Sequence, residues 1–344
     1  MSSRLLRLSF LLISILLAVT ASAAVRAAET PTVIKLATLA PKGTSLHQIL
    51  MAMGQKWHAS SGGSVTLNVY TDGVMGAEGQ VVRQMQVGAL QGAMLTATGL
   101  AAIDSSITAV EDMPMMFRSL EEVAYVREKM RTTIERKLRE KGFVLLFWGD
   151  TGWVRFFSKT PVLRPADLKK MRLFAWAGSE DQIELMKSAG FHPVPLETRN
   201  IYLSLKSNMI NAVPTIPIAA LAGQFDGPCP HMLELNWGPL VGGTVIKAKV
   251  WDALPPATQS ALMKAAVEAG EEVTTRSRKE SDEAVAAMKK RGLIVHPVPP
   301  ELEAEWRKFA EEFYPKIRGS MVPADMFDEV QRLLIQRRTP GSVK

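Results

Sequence analysis

The pattern of hydrophobic and polar positions divides the first third of the chain into alternating strands and helices. The segments "VIKLATLA" (33–40) and "SVTLNVYTD" (64–72) alternate apolar and polar residues, as half-buried strands do. An amphipathic helix is predicted over 45–60, and a second one over 77–87 precedes the apolar strand 92–98. This strand–helix order predicts βαβ units and a parallel sheet covered on both faces.

A second set of strands and helices follows a strongly helical stretch, 119–141. The apolar strand "FVLLFW" (143–148) is interrupted by "GDTG" and resumes as "WVRFFS" (153–158), so it passes from one domain into the next. The elements after it are predicted to be strand 171–176, helix 179–189, an extended segment at 192–196, helix 199–208, and a strand end and loop at 210–217.

Residues 257–291 have the pattern of a single helix of about 35 residues, which contains no proline and one glycine, Gly270. Most globular helices have three to four turns. Its apolar spacing does not keep a clean heptad, which argues against a coiled coil and favours a helix lying across two domains. Further helices are predicted over 300–312 and 324–336, and the segment 231–254 returns the chain to the first domain.

These elements predict an α/β fold of two lobes joined by several crossing segments. We assign lobe I to residues 29–150 and about 239–280, and lobe II to 151–238 and about 281–340.

The amino terminus has the three parts of a secretory signal peptide. Arg4 and Arg7 precede a 13-residue apolar run, and "ASA" at 21–23 offers a cleavage site, with a later alternative ending at Ala27. The sequence therefore predicts export to the periplasm after removal of residues 1–23. No later apolar run is long enough to span a bilayer.

Composition excludes several functional classes. The net charge of +7 falls to +5 without Arg4 and Arg7 and is spread along the chain, so we expect no nucleic-acid partner. Cys229 is the only cysteine, so no intramolecular disulfide forms, and the five histidines lack metal-ligand spacing. We expect no metal and no cofactor.

Motifs for catalysis are missing as well. The chain has no Gly-x-Ser-x-Gly elbow, phosphate-binding loop, HExxH or dinucleotide fingerprint. Asp150 and Glu197 are isolated carboxylates with no histidine close in sequence, which is weak support for acid–base chemistry. The sequence therefore favours a protein that is not an enzyme.

Two arginines stand alone in strands that otherwise look buried. Arg155 lies in "WVRFFS" and Arg172 in "MRLFAW". A guanidinium binds a carboxylate through two parallel hydrogen bonds, so two such residues near a domain boundary suit a small carboxylate ligand. A structural ion pair or a strand end in water remains the alternative for each. The nearby aromatics are core residues or cleft walls, and Trp153 and Trp176 are the best candidates for the cleft.

Four stretches of the chain resemble the DctP-like substrate-binding proteins of TRAP (tripartite ATP-independent periplasmic) transporters. They are "VIKLATLAPKGTSLHQ", "GVMGAEGQVVRQMQVGALQGAM", "VRFFSKTPVLRPADLKKMRLFAW" and "GFHPVPLETRNIYLSLKSNMINAVPTIP". The resemblance extends over about 33–317. Its most specific part is the motif "P-x-D-L-K", which is followed by a strand that contains an arginine and then by "P-x-P" and "Y-x-x-L". It implies a two-lobed periplasmic-binding-protein fold with a long helix spanning both lobes.

The resemblance also implies a set of ligand-binding residues. In the family, the arginine of a "K-x-R-V" strand binds the ligand carboxylate, and the matching residue here is Arg172. The arginine of the preceding strand matches Arg155. Thr215 matches a position that is commonly Asn, Thr198 follows the "P-x-P" segment, and Glu78 matches an acidic or polar contact.

The chain departs from the family pattern at two places. The usual "V-D-G-x-E" motif reads Asn211-Ala212-Val213-Pro214 here, so sialic-acid binding patterns are not carried over. Trp176 adds an aromatic ring close to the usual polar contact position, Ala175, which favours a more apolar pocket and an aromatic or branched carboxylate.

The function implied by the resemblance is that of an extracytoplasmic solute receptor. A monomeric protein would capture a small organic acid between its lobes and deliver it to small and large TRAP membrane subunits for uptake driven by an ion gradient. The alternatives are a secreted two-lobed enzyme acting on a small carboxylate, and a binding protein for an ABC importer or a sensor.

Overall fold

A computed structural model of the chain describes residues 31–339. The predicted signal peptide, with both of its cleavage points, lies outside the described residues.

The described chain forms nine strands in one sheet. The strands are β1 (Thr32–Thr38), β2 (Val65–Tyr70), β3 (Gly92–Thr96), β4 (Phe143–Ser158), β5 (Arg172–Trp176), β6 (His192–Leu196), β7 (Ala212–Thr215), β8 (His231–Lys247) and β9 (Ile294–His296). Their order in the sheet is β2-β1-β3-β8-β4-β7-β5-β6, and β9 pairs with β8.

Thirteen α-helices and two 3-10 helices connect and cover the strands of the described chain. The α-helices are α1 (Ser45–Ser60), α2 (Glu78–Gln86), α3 (Ala97–Ala101), α4 (Leu120–Glu140), α5 (Pro165–Leu168), α6 (Glu180–Ser188), α7 (Ile201–Lys206), α8 (Pro217–Ala222), α9 (Ala248–Asp252), α10 (Pro256–Lys290), α11 (Pro300–Glu311), α12 (Tyr314–Ile317) and α13 (Ala324–Arg338). The 3-10 helices are Ser105–Val110 and Thr198–Asn200.

The parallel pairing predicted for the first three strands is present, but the sheet as a whole is mixed. Strands β2, β1 and β3 are parallel, as are β7, β5 and β6. The two long strands β4 and β8 are antiparallel to each other, β8 is antiparallel to β3, and β4 is antiparallel to β7. Because β4 and β8 extend through both lobes, each of them runs opposite to the neighbouring parallel strands of one lobe. The sheet is therefore mixed.

The predicted break in β4 is a change of register rather than an end. Pairing with β8 shifts between Asp150 and Trp153, and β4 then continues to Ser158. The strand therefore passes from one lobe to the other, as its sequence predicts. The lobe boundaries themselves stay a prediction.

Helix α10 runs 35 residues from Pro256 to Lys290, one residue away from the predicted bounds at each end. Its single glycine has a structural reason. A Cβ atom on Gly270 would lie 2.7 Å from the Cβ of Phe147 and 3.0 Å from the carbonyl oxygen of Trp148. Gly270 thus lets α10 pack directly on β4.

An ion cluster joins α10 to the crossing strand. Asp150 of β4 is fully buried, and Arg278 of α10 donates a hydrogen bond of 3.4 Å to each of its two carboxylate oxygens. Arg127 of α4 approaches the same carboxylate to 3.6 Å, and burial lowers the pKa of its guanidinium. Asp150, an isolated carboxylate in the sequence, therefore has a structural role.

The hydrophobic core is divided along the same lines as the sheet. Val273 of α10 packs in one cluster with Ile34 and Trp57, and Ala284 and Met288 of the same helix pack in another with Phe174. Helix α10 thus contributes to the cores of both lobes. Within residues 31–339 we find no helix that is long and apolar enough to cross a membrane.

Candidate functional site: the cleft between the lobes

A cavity of about 430 Å³ opens where the parallel strands of both lobes end. The last residues of β1, β3, β5 and β7 all line it, namely Thr38, Thr96, Trp176 and Thr215. Open α/β sheets bind ligands beyond the carboxyl ends of their strands, and this volume is within the usual range for small-molecule sites. We call this cavity the cleft.

The walls of the cleft are mostly apolar. Its larger apolar side chains, besides Trp176, are Leu39, Leu46, Met94, Leu95, Phe174, Ile201, Ile216, Phe225, Leu240 and Val241. The Phe174 and Trp176 rings meet edge to face, with their centroids 5.0 Å apart. The pocket predicted from Trp176 to be more apolar is present.

Glu78, a predicted site residue, lies in the wall of the cleft at the start of α2. Its carboxylate accepts hydrogen bonds from the Thr96 amide (2.8 Å), the Thr96 hydroxyl and the Gly99 amide. Burial raises the pKa of Glu78, and these donors oppose the rise. The carboxyl group therefore ties α2 to the end of β3 and forms part of the cleft wall.

Thr198 and Thr215 supply the hydroxyl groups of the lobe II wall. Thr215 ends β7, and Thr198 begins the 3-10 helix that follows β6. Within the described chain, neither hydroxyl has a hydrogen-bond partner in the protein. Both are partly exposed, so each can donate to or accept from a ligand.

Arg172, the first of the two predicted arginines, does not line the cleft. It begins β5, and Trp176, four residues later, is about 13 Å away at roughly 3.3 Å per residue. Its guanidinium donates to the carbonyl oxygens of Asn208 (2.8 and 3.2 Å) and Met209 (3.2 Å), just beyond α7. The cation is therefore satisfied by a helix end on the outer side of lobe II.

Phe174, two residues after Arg172 on β5, is 1% exposed and lines the cleft. Residues two apart share one face of a strand but lie at different points along it, so the cleft meets β5 at Phe174 and Trp176 rather than at Arg172.

Arg155, the second of the two predicted arginines, pairs with Thr215 across β4 and β7 but does not itself line the cleft. Its side chain is 16% exposed and approaches Glu234 to 3.5 Å, and burial lowers the pKa of its guanidinium. Arg155 therefore forms the structural ion pair that was left open as its alternative.

Arg199, which sequence reasoning missed, is the only lysine or arginine among the described residues that line the cleft. It follows Thr198 in the 3-10 helix, and its side chain is 59% exposed. Glu197 lies 2.8 Å from Arg199 Nη2, without the alignment of a hydrogen bond. The signal that could have found Arg199 was its position after the carboxyl end of a parallel strand.

A smaller cavity of about 170 Å³ lies on the other side of a wall formed by Phe174, Trp176 and Leu240. We call it the inner cavity. Its charged side chains are Glu111 and Asp112, from the loop after the 3-10 helix of lobe I. Burial raises the pKa of Asp112 to about 7 and that of Glu111 well above its usual range.

Other candidate chemical groups are accounted for by packing. The Cys229 thiol is buried, and burial raises its pKa to about 12, so it is not a reactive nucleophile. His231 and His296 pair ring to ring across β8 and β9, with 3.0 Å between Nδ1 and Nε2. Residues 31–339 contain no group of three or more side chains suited to a metal ion.

Comparison with known proteins identifies the family. The sequence profile of bacterial extracellular solute-binding proteins, family 7, the DctP family, matches residues 36–319. The chain belongs to this family. The resemblance inferred from the sequence is thereby confirmed, and the two-lobed α/β fold is that of the family.

Curated relatives of this DctP-family chain are distant. It is 22% identical over 248 residues to the C4-dicarboxylate-binding periplasmic protein DctP of Rhodobacter capsulatus, covering 72% of this chain and 74% of that protein. It is 25% identical over 238 residues to the 2,3-diketo-L-gulonate-binding periplasmic protein YiaO of Escherichia coli, covering 68% and 71%. A match to the uncharacterized protein YiiZ of Salmonella typhimurium, 27% identical, spans 52% of this chain and only 55% of that protein.

Solved structures share the fold over nearly their whole length. The Bordetella pertussis receptor DctP7, which binds pyroglutamic acid, has a TM-score of 0.79 at 19% identity and covers 88% of this chain and 99% of its own. A TRAP solute-binding protein of Sulfurospirillum deleyianum with bound succinate has a TM-score of 0.80 at 19% identity and the same coverage. One from Pseudomonas putida with bound D-glucuronate has 0.78 at 22%, covering 90% and 98%.

Proposed function

We propose that this DctP-family protein is the extracytoplasmic solute receptor of a TRAP transporter and binds a small organic carboxylate in the cleft. The observation that carries the proposal is the position of the cleft, which collects the last residues of four parallel strands from both lobes. The acids bound by similar proteins, pyroglutamate, succinate and glucuronate, support the carboxylate class.

The proposed binding residues follow from the lining of the cleft. Trp176 and the hydroxyls of Thr198 and Thr215 contact the ligand from lobe II, and Glu78 shapes the facing wall of lobe I. A ligand that contacts both walls stabilises the closed arrangement of the lobes, because it binds that arrangement better than the open one. The closed receptor would be recognised by small and large membrane subunits.

The rival proposal of an enzyme has little support from the geometry. Within the described residues, the carboxylates and hydroxyls of the cleft are not arranged with a histidine or cysteine, because no residue of either type lines it. Glu78, the most buried acid of the cleft, already accepts three hydrogen bonds from the backbone and side chain of its own lobe. Capture and release of a ligand require none of these catalytic groups.

A ligand screen with the purified exported protein tests the proposed function. Carboxylic acids from the keto, dicarboxylic, sugar-acid and aromatic classes are added singly, and the unfolding temperature is recorded. An acid present at about 100 times its Kd stabilises the folded protein by about 2.7 kcal/mol. Trp176→Ala is expected to reduce this effect. If no acid raises the unfolding temperature while turnover of one is detected, the receptor proposal is overturned in favour of the enzyme.

A further inference from the structure

The charges around the cleft are unevenly distributed. Arg199 is the one basic side chain that lines it in the described structure, whereas Asp72 and Glu78 both present carboxylates from lobe I. The Asp72 carboxylate already accepts from the Lys42 amide at 3.1 Å and from the Thr71 hydroxyl at 2.6 Å. An anion that enters the cleft therefore meets a cation on one wall and carboxyl groups on the other.

Arg199 combines free hydrogen-bonding capacity with a position in the lining of the cleft, which neither Arg155 nor Arg172 has. Apart from the 2.8 Å approach to Glu197, its guanidinium makes no hydrogen bond to the rest of the described protein. A guanidinium carries five N–H donors in a planar fork, so enough remain to bind one carboxylate. The adjacent Thr198 hydroxyl lines the same cleft and can donate a further hydrogen bond.

The remainder of the ligand has to match an apolar surface. The larger side chains of the lobe II wall near Arg199 are Trp176, Phe174, Ile201 and Tyr202, and its hydroxyl groups are those of Thr198, Tyr202 and Thr215. A sugar acid that packs on the aromatic and aliphatic part of this wall would lose water from its hydroxyl groups where no partner faces them. A second carboxylate, as in succinate, would find no second lysine or arginine in the described lining and would approach the carboxyl groups of Asp72 and Glu78. Both polar classes of acid are therefore disfavoured.

We infer that the cleft is selective for monocarboxylates with an aromatic or branched apolar body, and that Arg199 binds the carboxylate. This inference rests on the proposed receptor function and names the class of ligand for that same site. In it, the carboxylate lies at the Arg199 end beside Thr198, and the apolar body packs on Phe174 and Trp176.

Titration calorimetry with four probes tests the inference. The probes are 3-phenylpropionate, its uncharged amide 3-phenylpropanamide, succinate and D-glucuronate. We expect 3-phenylpropionate to bind and the amide to bind about 10- to 100-fold more weakly, the usual loss for a charged hydrogen bond. Succinate and D-glucuronate are expected to bind more weakly than 3-phenylpropionate.

Three variants identify the cation. Arg199→Gln is expected to weaken 3-phenylpropionate binding about 10- to 100-fold and to leave the already weak amide binding unchanged. Glu197→Gln removes the competing anion and is expected to bind 3-phenylpropionate more tightly, which a purely structural Arg199 would not cause. Arg172→Gln is the matched control, and its affinity should equal that of the wild type.

The outcomes separate this inference from the proposed function. Preferential binding of succinate or D-glucuronate, or binding of 3-phenylpropionate that is unchanged in Arg199→Gln, overturns the inference and leaves the receptor function standing. Failure of every carboxylate in the wider screen to bind counts against the receptor function itself.

Discussion

The cleft and the inner cavity share a wall but differ in size and in charge. Phe174, Trp176 and Leu240 line both. The cleft is the larger space, about 430 Å³, with an exposed arginine at its edge, whereas the inner cavity of about 170 Å³ contains two carboxyl groups that burial drives towards the neutral form.

This difference shows how one aromatic wall separates two cavities with different charged groups. An anionic ligand is attracted to the side with Arg199, whereas the side with Glu111 and Asp112 offers it no lysine or arginine in the described lining. The aromatic wall sets the depth of the cleft, because nothing larger than water passes between well-packed rings. The larger volume of the cleft and the presence of Arg199 both favour ligand binding in the cleft rather than in the inner cavity.

The largest expected effect comes from removing the shared wall. Phe174→Ala deletes a ring that is 1% exposed and lines both cavities, so it joins them. We expect the free energy of unfolding to fall by about 3–5 kcal/mol, measured by urea denaturation. Binding of 3-phenylpropionate should weaken as well, because the floor of the cleft is lost.

Phe157→Ala is the matched control for the wall. Phe157 is fully buried in the same hydrophobic cluster as Phe174 but lines neither cavity. It should lose similar stability, and its remaining folded fraction should bind as the wild type does. Equal loss of binding in both variants would show that the wall has no specific role.

A smaller effect is expected from the carboxyl groups of the inner cavity. The pKa of Asp112 is about 7 in the folded protein and 3.8 in the unfolded chain, so the folded state holds its proton more tightly between these values. The free energy of unfolding should therefore fall as pH rises from about 4 to 7 and level off above. Asp112→Asn should raise it by about 1–2 kcal/mol at pH 8.

Thermal unfolding from pH 4 to pH 8 measures this dependence. The gain in Asp112→Asn should become small near pH 4, where the wild-type carboxyl is protonated in the folded state and about half protonated in the unfolded chain. Asp181→Asn, the same change at an exposed position of α6, serves as the control and should follow the wild-type curve. An Asp112→Asn curve parallel to the wild type would mean that the inner cavity does not hold a proton.

The smallest effect on stability is expected from Arg172, which lines neither cavity. Arg172→Ala removes hydrogen bonds to the carbonyl oxygens of Asn208 and Met209 and should lower the free energy of unfolding by about 1 kcal/mol. Calorimetric affinity for any carboxylate ligand should not change. A loss of binding in a folded Arg172→Ala protein would restore the original assignment from the sequence.

Much of the architecture was predictable because the patterns that specify it are local. Helix 45–60 and strand 192–196 have the predicted bounds, and α10 differs by one residue at each end. The antiparallel direction of β8 was not predictable, since strand direction depends on how distant segments meet. The single 17-residue strand 231–247 also has no local signal for its continuity.

The site was predictable in part. Trp176, Thr198, Thr215 and Glu78 do line one cavity, because each lies at or after the end of a strand or begins a helix there. Arg172 failed for the converse reason, since it begins its strand. Arg172 is conspicuous in the sequence because it is a single cation in an apolar run, but its contacts are with the end of a helix. Arg199 lies in a polar turn and therefore has no distinctive sequence pattern.

The passage of α10 through both lobes has a consequence for how the protein melts. Val273 is fully buried in one core, and Met288, fifteen residues later on the same rigid rod, is fully buried in the other. Unfolding either lobe alone would pull this helix away from the surviving core or break it in the middle. Both lobes should therefore denature together, in a single calorimetric transition whose van't Hoff and calorimetric enthalpies agree.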